Sequence, residues 1–145
     1  MFSSSIFIIM AVLVSGPSSY PTGGVDETAG LTGTYLMVSV EKNGEKLPER
    51  HVRGQMVRIT QDRIIATDKE SKQTFAASYR LNASNTPWNI TMKSIAPQAG
   101  LDARGLVKRE GDMVWLIYHH PGGDVPTEFK TKQKQLMVTL RKLDK

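Results

Sequence analysis

The segment LTGTYLMVSVEKNGEKLP, residues 31–48, decides the fold. Its first half alternates apolar and polar residues with a period of two, which is typical of a half-buried β-strand. This pattern predicts a core-facing row of Leu36, Val38 and Val40. The Asn-Gly pair at 43–44 tolerates positive φ at both centres of a tight hairpin turn. We therefore predict that the ordered domain opens with a strand and a hairpin.

The same alternation recurs along the rest of the chain, with turn residues at short intervals. It predicts further strands at 55–60, 63–68, 75–81, 88–93, 103–109, 113–119 and 135–142. Pro48 and Gly54 bracket a short helical turn. About eight strands without a long helix or an internal repeat predict an antiparallel sandwich or an up-and-down barrel. In a barrel, the first strand should pair with the last.

The N-terminus has the features of an export signal. Residues 1–19 carry no charged side chain, and 6–14 form an apolar run followed by small residues. This run is too short to cross a bilayer and has the length of a signal-peptide core. The alternative is an apolar first strand or helix. We predict a signal peptide at 1–19, a flexible linker at 20–29 and one domain at 30–145.

The amino-acid composition excludes several kinds of site and favours one class of partner. The chain of 145 residues contains no cysteine, which excludes disulfides, thiolate catalysis and zinc sites built on cysteine. Its net charge of +5 and its pI near 9.6 favour anionic partners through long-range attraction. No second long apolar run follows the first, so we expect no transmembrane segment in the mature chain.

Four spaced motifs resemble a known family. They are LTGTY (31–35), KNGEKLP (42–48), EGDMVWLIY (110–118) and PTEF (126–129). Together they resemble a lipocalin-like domain family found mainly in exported proteins of Planctomycetes. The resemblance implies an antiparallel up-and-down lipocalin-like β-barrel of about eight strands, with Tyr35 where lipocalins carry the tryptophan that plugs the closed end. Val125 stands where the family has arginine, so any contact of that arginine is lost. The resemblance brings no activity with it.

Three aromatic residues are candidates for lining a ligand pocket: Tyr35, Trp88 and Trp115. Small eight-stranded barrels either fill their interior with side chains or hold one small ligand. Aromatic side chains on the inner face of a strand are ordinary core material, so core packing is the favoured interpretation.

The only cluster of potential metal ligands in the sequence is His119, His120, Asp124 and Glu128. Adjacent strand residues point to opposite faces, which argues against two imidazoles on one metal. We therefore predict a strand end entering a Pro-Gly-Gly turn, with no metal site, no cofactor and no catalytic residues. A hydrolase-type enzyme that uses the loop from His119 to Glu128 is the alternative.

The basic C-terminal end is the last candidate for an interaction surface. It contains Lys130, Lys132, Lys134, Arg141, Lys142 and Lys145. Solvated lysines that protect a strand edge are the simplest explanation. Nucleic-acid binding would need interleaved aromatic residues, and only Phe129 is near. We expect a periplasmic or secreted, non-enzymatic barrel that binds a small apolar ligand or an anionic envelope component.

Overall fold

The computed structural model describes residues 31–84 and 86–143. The predicted signal peptide and linker lie outside these residues. The elements are β1 (Gly33–Lys42), β2 (Glu45–Lys46), α1 (Glu49–Val52), β3 (Met56–Ile59), β4 (Arg63–Thr67), β5 (Gln73–Asn82), β6 (Trp88–Ala96), β7 (Asp102–Glu110), β8 (Met113–His119) and β9 (Gln135–Lys142). The predicted strands and the helical turn are all present.

The sheet is an antiparallel meander that closes on itself. Each strand from β3 to β9 pairs with its neighbour in sequence, and β1 pairs with β3. The two residues of β2 pair antiparallel with the end of β1. The pairing of β9 with β1 places Val138 opposite Val40 and closes an eight-stranded barrel. The predicted fold class is confirmed, including the contact between the first and last strands.

The face prediction for β1 is wrong in part. The core contains Tyr35, Met37 and Val40, whereas Val38 is exposed and Leu36 is partly buried outside the core cluster. The reason is a β-bulge, because Thr139 faces Ser39 while the next residue, Leu140, faces Met37. A bulge inserts one residue into a strand and shifts its side-chain alternation. Val40 was assigned correctly to the core because it follows the bulge.

The inner faces of β5, β6 and β9 follow the two-residue alternation of the sequence. The inner rows of β5, β6 and β9 are Phe75, Ala77, Tyr79 and Leu81; Trp88, Ile90 and Met92; and Leu136, Val138 and Leu140. Asn43 and Gly44 have φ values of 54° and 83°, as the hairpin prediction requires. The apolar strand β8 is buried on both faces, with Val114 and Leu116 in the interior cluster and Ile117 on the outer side.

One end of the barrel is closed by tyrosine hydrogen bonds. Tyr35 is 0% exposed, and its hydroxyl donates to the carbonyl oxygen of Leu31 at 2.7 Å. The Tyr79 hydroxyl donates to the carbonyl oxygen of Thr60 at 2.6 Å, while burial raises the pKa of Tyr79 to about 12. These bonds satisfy the polar tips of large buried rings. Tyr35 lies near one end of the barrel, because it pairs with Lys142, the last residue of β9.

The connection between β8 and β9, residues 120–134, packs on the outside of the barrel. The Lys108 ammonium lies 4.8 Å from the centre of the Trp115 ring and 4.9 Å from that of the Phe129 ring. Strands β7 and β8 approach closely at Gly105, where an added Cβ would lie 1.8 Å from the carbonyl oxygen of Ile117. Trp115 of β8 and Phe129 of the connection thus share the Lys108 ammonium as a neighbour, and Ile117 of β8 is fully buried outside the interior cluster.

Candidate ligand-binding site

The half of the barrel opposite Tyr35 contains a cavity of about 250 Å³. Its walls come from six strands and from the segment that precedes β3. The lining residues are mainly apolar: Met37, Val40, Leu47, His51, Gln55, Val57, Ile64, Ala66, Thr74, Phe75, Leu116, Tyr118, Leu136, Val138 and Leu140. None of these described residues is Asp, Glu, Lys or Arg. The cavity suits an uncharged, largely apolar molecule.

The segment from Leu47 to Gln55 covers part of the cavity mouth. Val52 of α1 is buried and anchors this segment to the interior cluster. The Gln55 side-chain amide donates to the carbonyl oxygen of His51 at 2.6 Å, which ties the two ends of the helical turn together. This end of the barrel is therefore bordered by a short helix, whereas the other is closed by Tyr35.

Tyr118 is a partly buried polar residue of the cavity wall. Burial raises its pKa to about 12, so the phenol stays protonated at neutral pH. Its ring meets that of His120 edge to face, with centroids 5.8 Å apart. Within residues 31–84 and 86–143, no protein group hydrogen-bonds its hydroxyl. A protonated hydrogen-bond donor is thus available at the wall of an apolar cavity.

The three aromatic residues predicted from the sequence lie elsewhere. Tyr35 is in the core and borders a separate depression of about 250 Å³ at the closed end. Trp88 packs against the core and borders an outer groove of about 490 Å³. Trp115 is on the outer face, beside Lys108. Tyr118 was missed, although its alternation with Val114 and Leu116 along β8 would have placed it inside.

The four potential metal ligands named from the sequence lie at the end of β8 and in the connection that follows it. Among the residues that the structure describes, no three His, Asp or Glu side chains come together in a way that would hold an ion. The Nδ1 of His119 lies 2.9 Å from the backbone oxygen of His120. Burial lowers the pKa of His120, with smaller contributions from Lys42 and His119, and its Nε2 is buried without a hydrogen-bond partner. His119 ends β8, as predicted.

A polar clamp fixes residues 120–134 to the β1–β2 hairpin beside the cavity mouth. The Glu41 carboxylate accepts from the backbone N–H and from the hydroxyl of Thr131, at 2.9 and 2.6 Å. The Thr131 hydroxyl in turn accepts from the Gly44 N–H at 2.8 Å. The Lys134 N–H donates to the side chain of Asn43 at 2.8 Å. The hydrogen bonds from Thr131 lower the pKa of Glu41.

The basic segment at 130–134 is not a strand, because β9 begins at Gln135. Its three lysines, Lys130, Lys132 and Lys134, are exposed near the clamp. Thr131 between them is 4% exposed. The lysines therefore lie on a turn beside the open end of the barrel and not on a flat strand face.

No protein-family model, curated protein or solved structure matches the chain significantly. Within the described ranges, no helix is both long and apolar enough to cross a membrane.

Proposed function

We propose that the protein is an exported, non-enzymatic binding protein that holds a small apolar molecule inside its barrel. The observation that carries the proposal is the interior cavity at the open end, whose wall is built from apolar side chains of β1, β3, β4, β5, β8 and β9. At roughly 30 Å³ for a group the size of water, a volume of about 250 Å³ accommodates about eight such groups.

Burial of apolar ligand surface supplies the affinity in this proposal. Each Å² of apolar surface that leaves water contributes roughly 25 cal/mol. The two histidines of the alternative enzyme loop offer little to catalysis, since His119 interacts with the neighbouring backbone and the His120 Nε2 is buried. This supports a binding role over a hydrolytic one.

Cumene is a suitable probe, because it is compact and apolar. Its binding to the purified protein can be followed by NMR titration of the methyl signals of Val138, Leu116 and Ile64. Val138→Phe places a larger side chain in the cavity. Cumene can then bind only by overpacking the interior, at a cost of about 1–3 kcal/mol, so its affinity should fall roughly tenfold or more. The matched control is Val38→Phe, the same change at an exposed position of β1, which should bind as the wild type does.

A second cavity-filling variant distinguishes loss of the binding site from a folding defect of Val138→Phe. Ala66→Leu enlarges a smaller side chain of the same wall and should also weaken binding, while circular dichroism confirms the fold of each variant. If cumene does not bind the wild type, or binds Val138→Phe and Ala66→Leu as tightly as Val38→Phe, the proposed site is wrong.

Export and family membership are part of the proposal. The apolar run at residues 6–14 supports secretion, and the motifs shared with the lipocalin-like family support membership together with the closed eight-stranded barrel. Expression of the full chain in a bacterial host, followed by N-terminal sequencing, tests export. A product that starts near residue 19 or 20 and is recovered outside the cytoplasm supports it; an intact N-terminus in the cytoplasm contradicts it.

An anionic envelope component is the second candidate partner. It is supported by the three exposed lysines beside the barrel mouth, Lys130, Lys132 and Lys134. Their conversion to Gln should weaken binding to an anionic polymer such as heparin, and salt should weaken the wild-type interaction because such contacts are screened. Retention of the wild type on heparin that does not change with salt would contradict this role.

A further inference from the structure

We infer that the ligand carries an uncharged hydrogen-bond acceptor, such as a ketone, ester or ether oxygen, which binds the hydroxyl of Tyr118 inside the barrel. This inference rests on the proposed function and specifies the chemical class of the ligand. It begins from the position of Tyr118 on the inner face of β8, where its side chain forms part of the cavity wall.

The hydroxyl of Tyr118 differs from the other polar groups of the wall. The Gln55 side-chain nitrogen already donates to a backbone oxygen at 2.6 Å, and the Thr74 hydroxyl donates to the Ala66 carbonyl oxygen at 3.3 Å. His51 is exposed, so its ring is hydrated by solvent. In the described part of the chain, Tyr118 is the one polar residue of this wall that is neither exposed nor hydrogen-bonded through its side chain.

The two buried tyrosines at the other end of the barrel, Tyr35 and Tyr79, each donate to a backbone carbonyl oxygen. Tyr118 is only partly buried, and its hydroxyl has no protein partner within the described residues. A ligand acceptor at this hydroxyl forms one net hydrogen bond, which contributes about 0.5–1.5 kcal/mol. A bound ligand can therefore supply the acceptor for the Tyr118 hydroxyl.

The acceptor should be neutral. Among the described residues of the cavity wall, none is Lys or Arg. A carboxylate placed beside Tyr118 would lose its hydration without gaining a cation, which is costly in an apolar site. A neutral carbonyl or ether oxygen needs only one donor, and the protonated phenol supplies it.

Three compounds with equal numbers of non-hydrogen atoms separate these contributions: acetophenone, cumene and benzoate. Acetophenone carries a neutral acceptor, cumene carries none, and benzoate carries a charged one. Their dissociation constants should be measured by NMR titration of wild type and of Tyr118→Phe, which removes only the hydroxyl. Thermal unfolding of both proteins checks that the variant is folded.

Tyr118→Phe should weaken acetophenone roughly two- to tenfold, the value of one net hydrogen bond, and should leave cumene within about twofold. Wild type should bind benzoate at least about tenfold more weakly than acetophenone.

The inference is overturned if Tyr118→Phe affects acetophenone and cumene equally, or if benzoate binds as tightly as acetophenone. In both cases the proposed binding function stands, because cumene still binds. If cumene does not bind the wild type, the proposed function fails, and if acetophenone does not bind either, the inference fails with it.

Discussion

Replacement of Thr131 by valine tests how firmly residues 120–134 are clamped to the barrel. Valine has nearly the same shape but lacks the hydroxyl that donates to Glu41 at 2.6 Å and accepts from the Gly44 N–H at 2.8 Å. A hydrogen bond to a charged group contributes about 1.5–3 kcal/mol, and a neutral one about 0.5–1.5 kcal/mol. Since Glu41 and Gly44 are both accessible to water, we expect the low end of each range, a loss of about 2 kcal/mol in the free energy of unfolding.

Urea denaturation followed by tryptophan fluorescence measures this loss, because Trp115 lies under the same connection. A double-mutant cycle with Glu41→Gln isolates the contact between Glu41 and Thr131, for which we expect a coupling energy of about 1 kcal/mol. A change of only a few tenths of a kcal/mol in Thr131→Val, or a coupling energy near zero, would refute the clamp.

The clamp also has a defined pH dependence. The hydroxyl and the N–H of Thr131 lower the pKa of Glu41 from its usual value of 4.5. The stabilisation is therefore complete above the pKa of Glu41 in the unfolded chain and is lost as the pH falls through the lower pKa of the folded protein. The stability difference between wild type and Thr131→Val should shrink as the pH is lowered from about 6 to about 3. A difference that stays constant over this range would exclude the carboxylate as the acceptor that matters.

The remaining predictions concern the barrel and its outer layer. Gly105→Ala should prevent folding or cost several kcal/mol, because its Cβ would lie 1.8 Å from the carbonyl oxygen of Ile117; circular dichroism and urea denaturation measure this. Tyr35→Phe removes the donor to the buried Leu31 carbonyl oxygen and should lower the unfolding free energy by about 1–3 kcal/mol, measured by the same titration. Lys108→Met removes the cation from between two aromatic rings and should cost about 1 kcal/mol in urea denaturation.

Each of these variants has a control or a contradicting result. Gly100→Ala is the control for Gly105→Ala, because its Cβ meets nothing within 4 Å and only the positive φ of 89° is strained; it should cost about 1–2 kcal/mol. A wild-type melting curve for Gly105→Ala would contradict the close approach of β7 and β8. An unchanged unfolding free energy of Tyr35→Phe would contradict a stabilising role of the Tyr35 hydrogen bond at the closed end of the barrel. Stability that rises in Lys108→Met would mean that burial of the lysine outweighs its attraction to the rings.

Sequence alternation predicted the barrel because most inner rows alternate without interruption. The inner rows of β5, β6 and β9 follow the two-residue alternation of the sequence, and the Asn-Gly turn at 43–44 has the positive φ values that its residues tolerate. Alternation failed at Val38, where a bulge shifts the register of β1. A bulge is set by the pairing with β9, which lies far away in sequence, so the local pattern does not contain it.

The candidate site was harder to predict than the fold. Large aromatic residues drew attention to Trp115, which lies on the outer face of β8, whereas Tyr118 on the inner face was not singled out. Both faces of β8 carry apolar side chains. The outer face can do so since residues 120–134 cover it. This second layer hides the contrast between inner and outer positions from which a cavity wall is usually recognised.

The central claim is that the open half of the barrel holds a small apolar molecule, and a crystal structure of the protein soaked with cumene tests it most directly. The account predicts electron density for the ring in the interior, in contact with Ile64, Leu116 and Val138. An interior filled by these side chains, with cumene absent or bound only in the outer groove near Trp88 and Phe129, would contradict it.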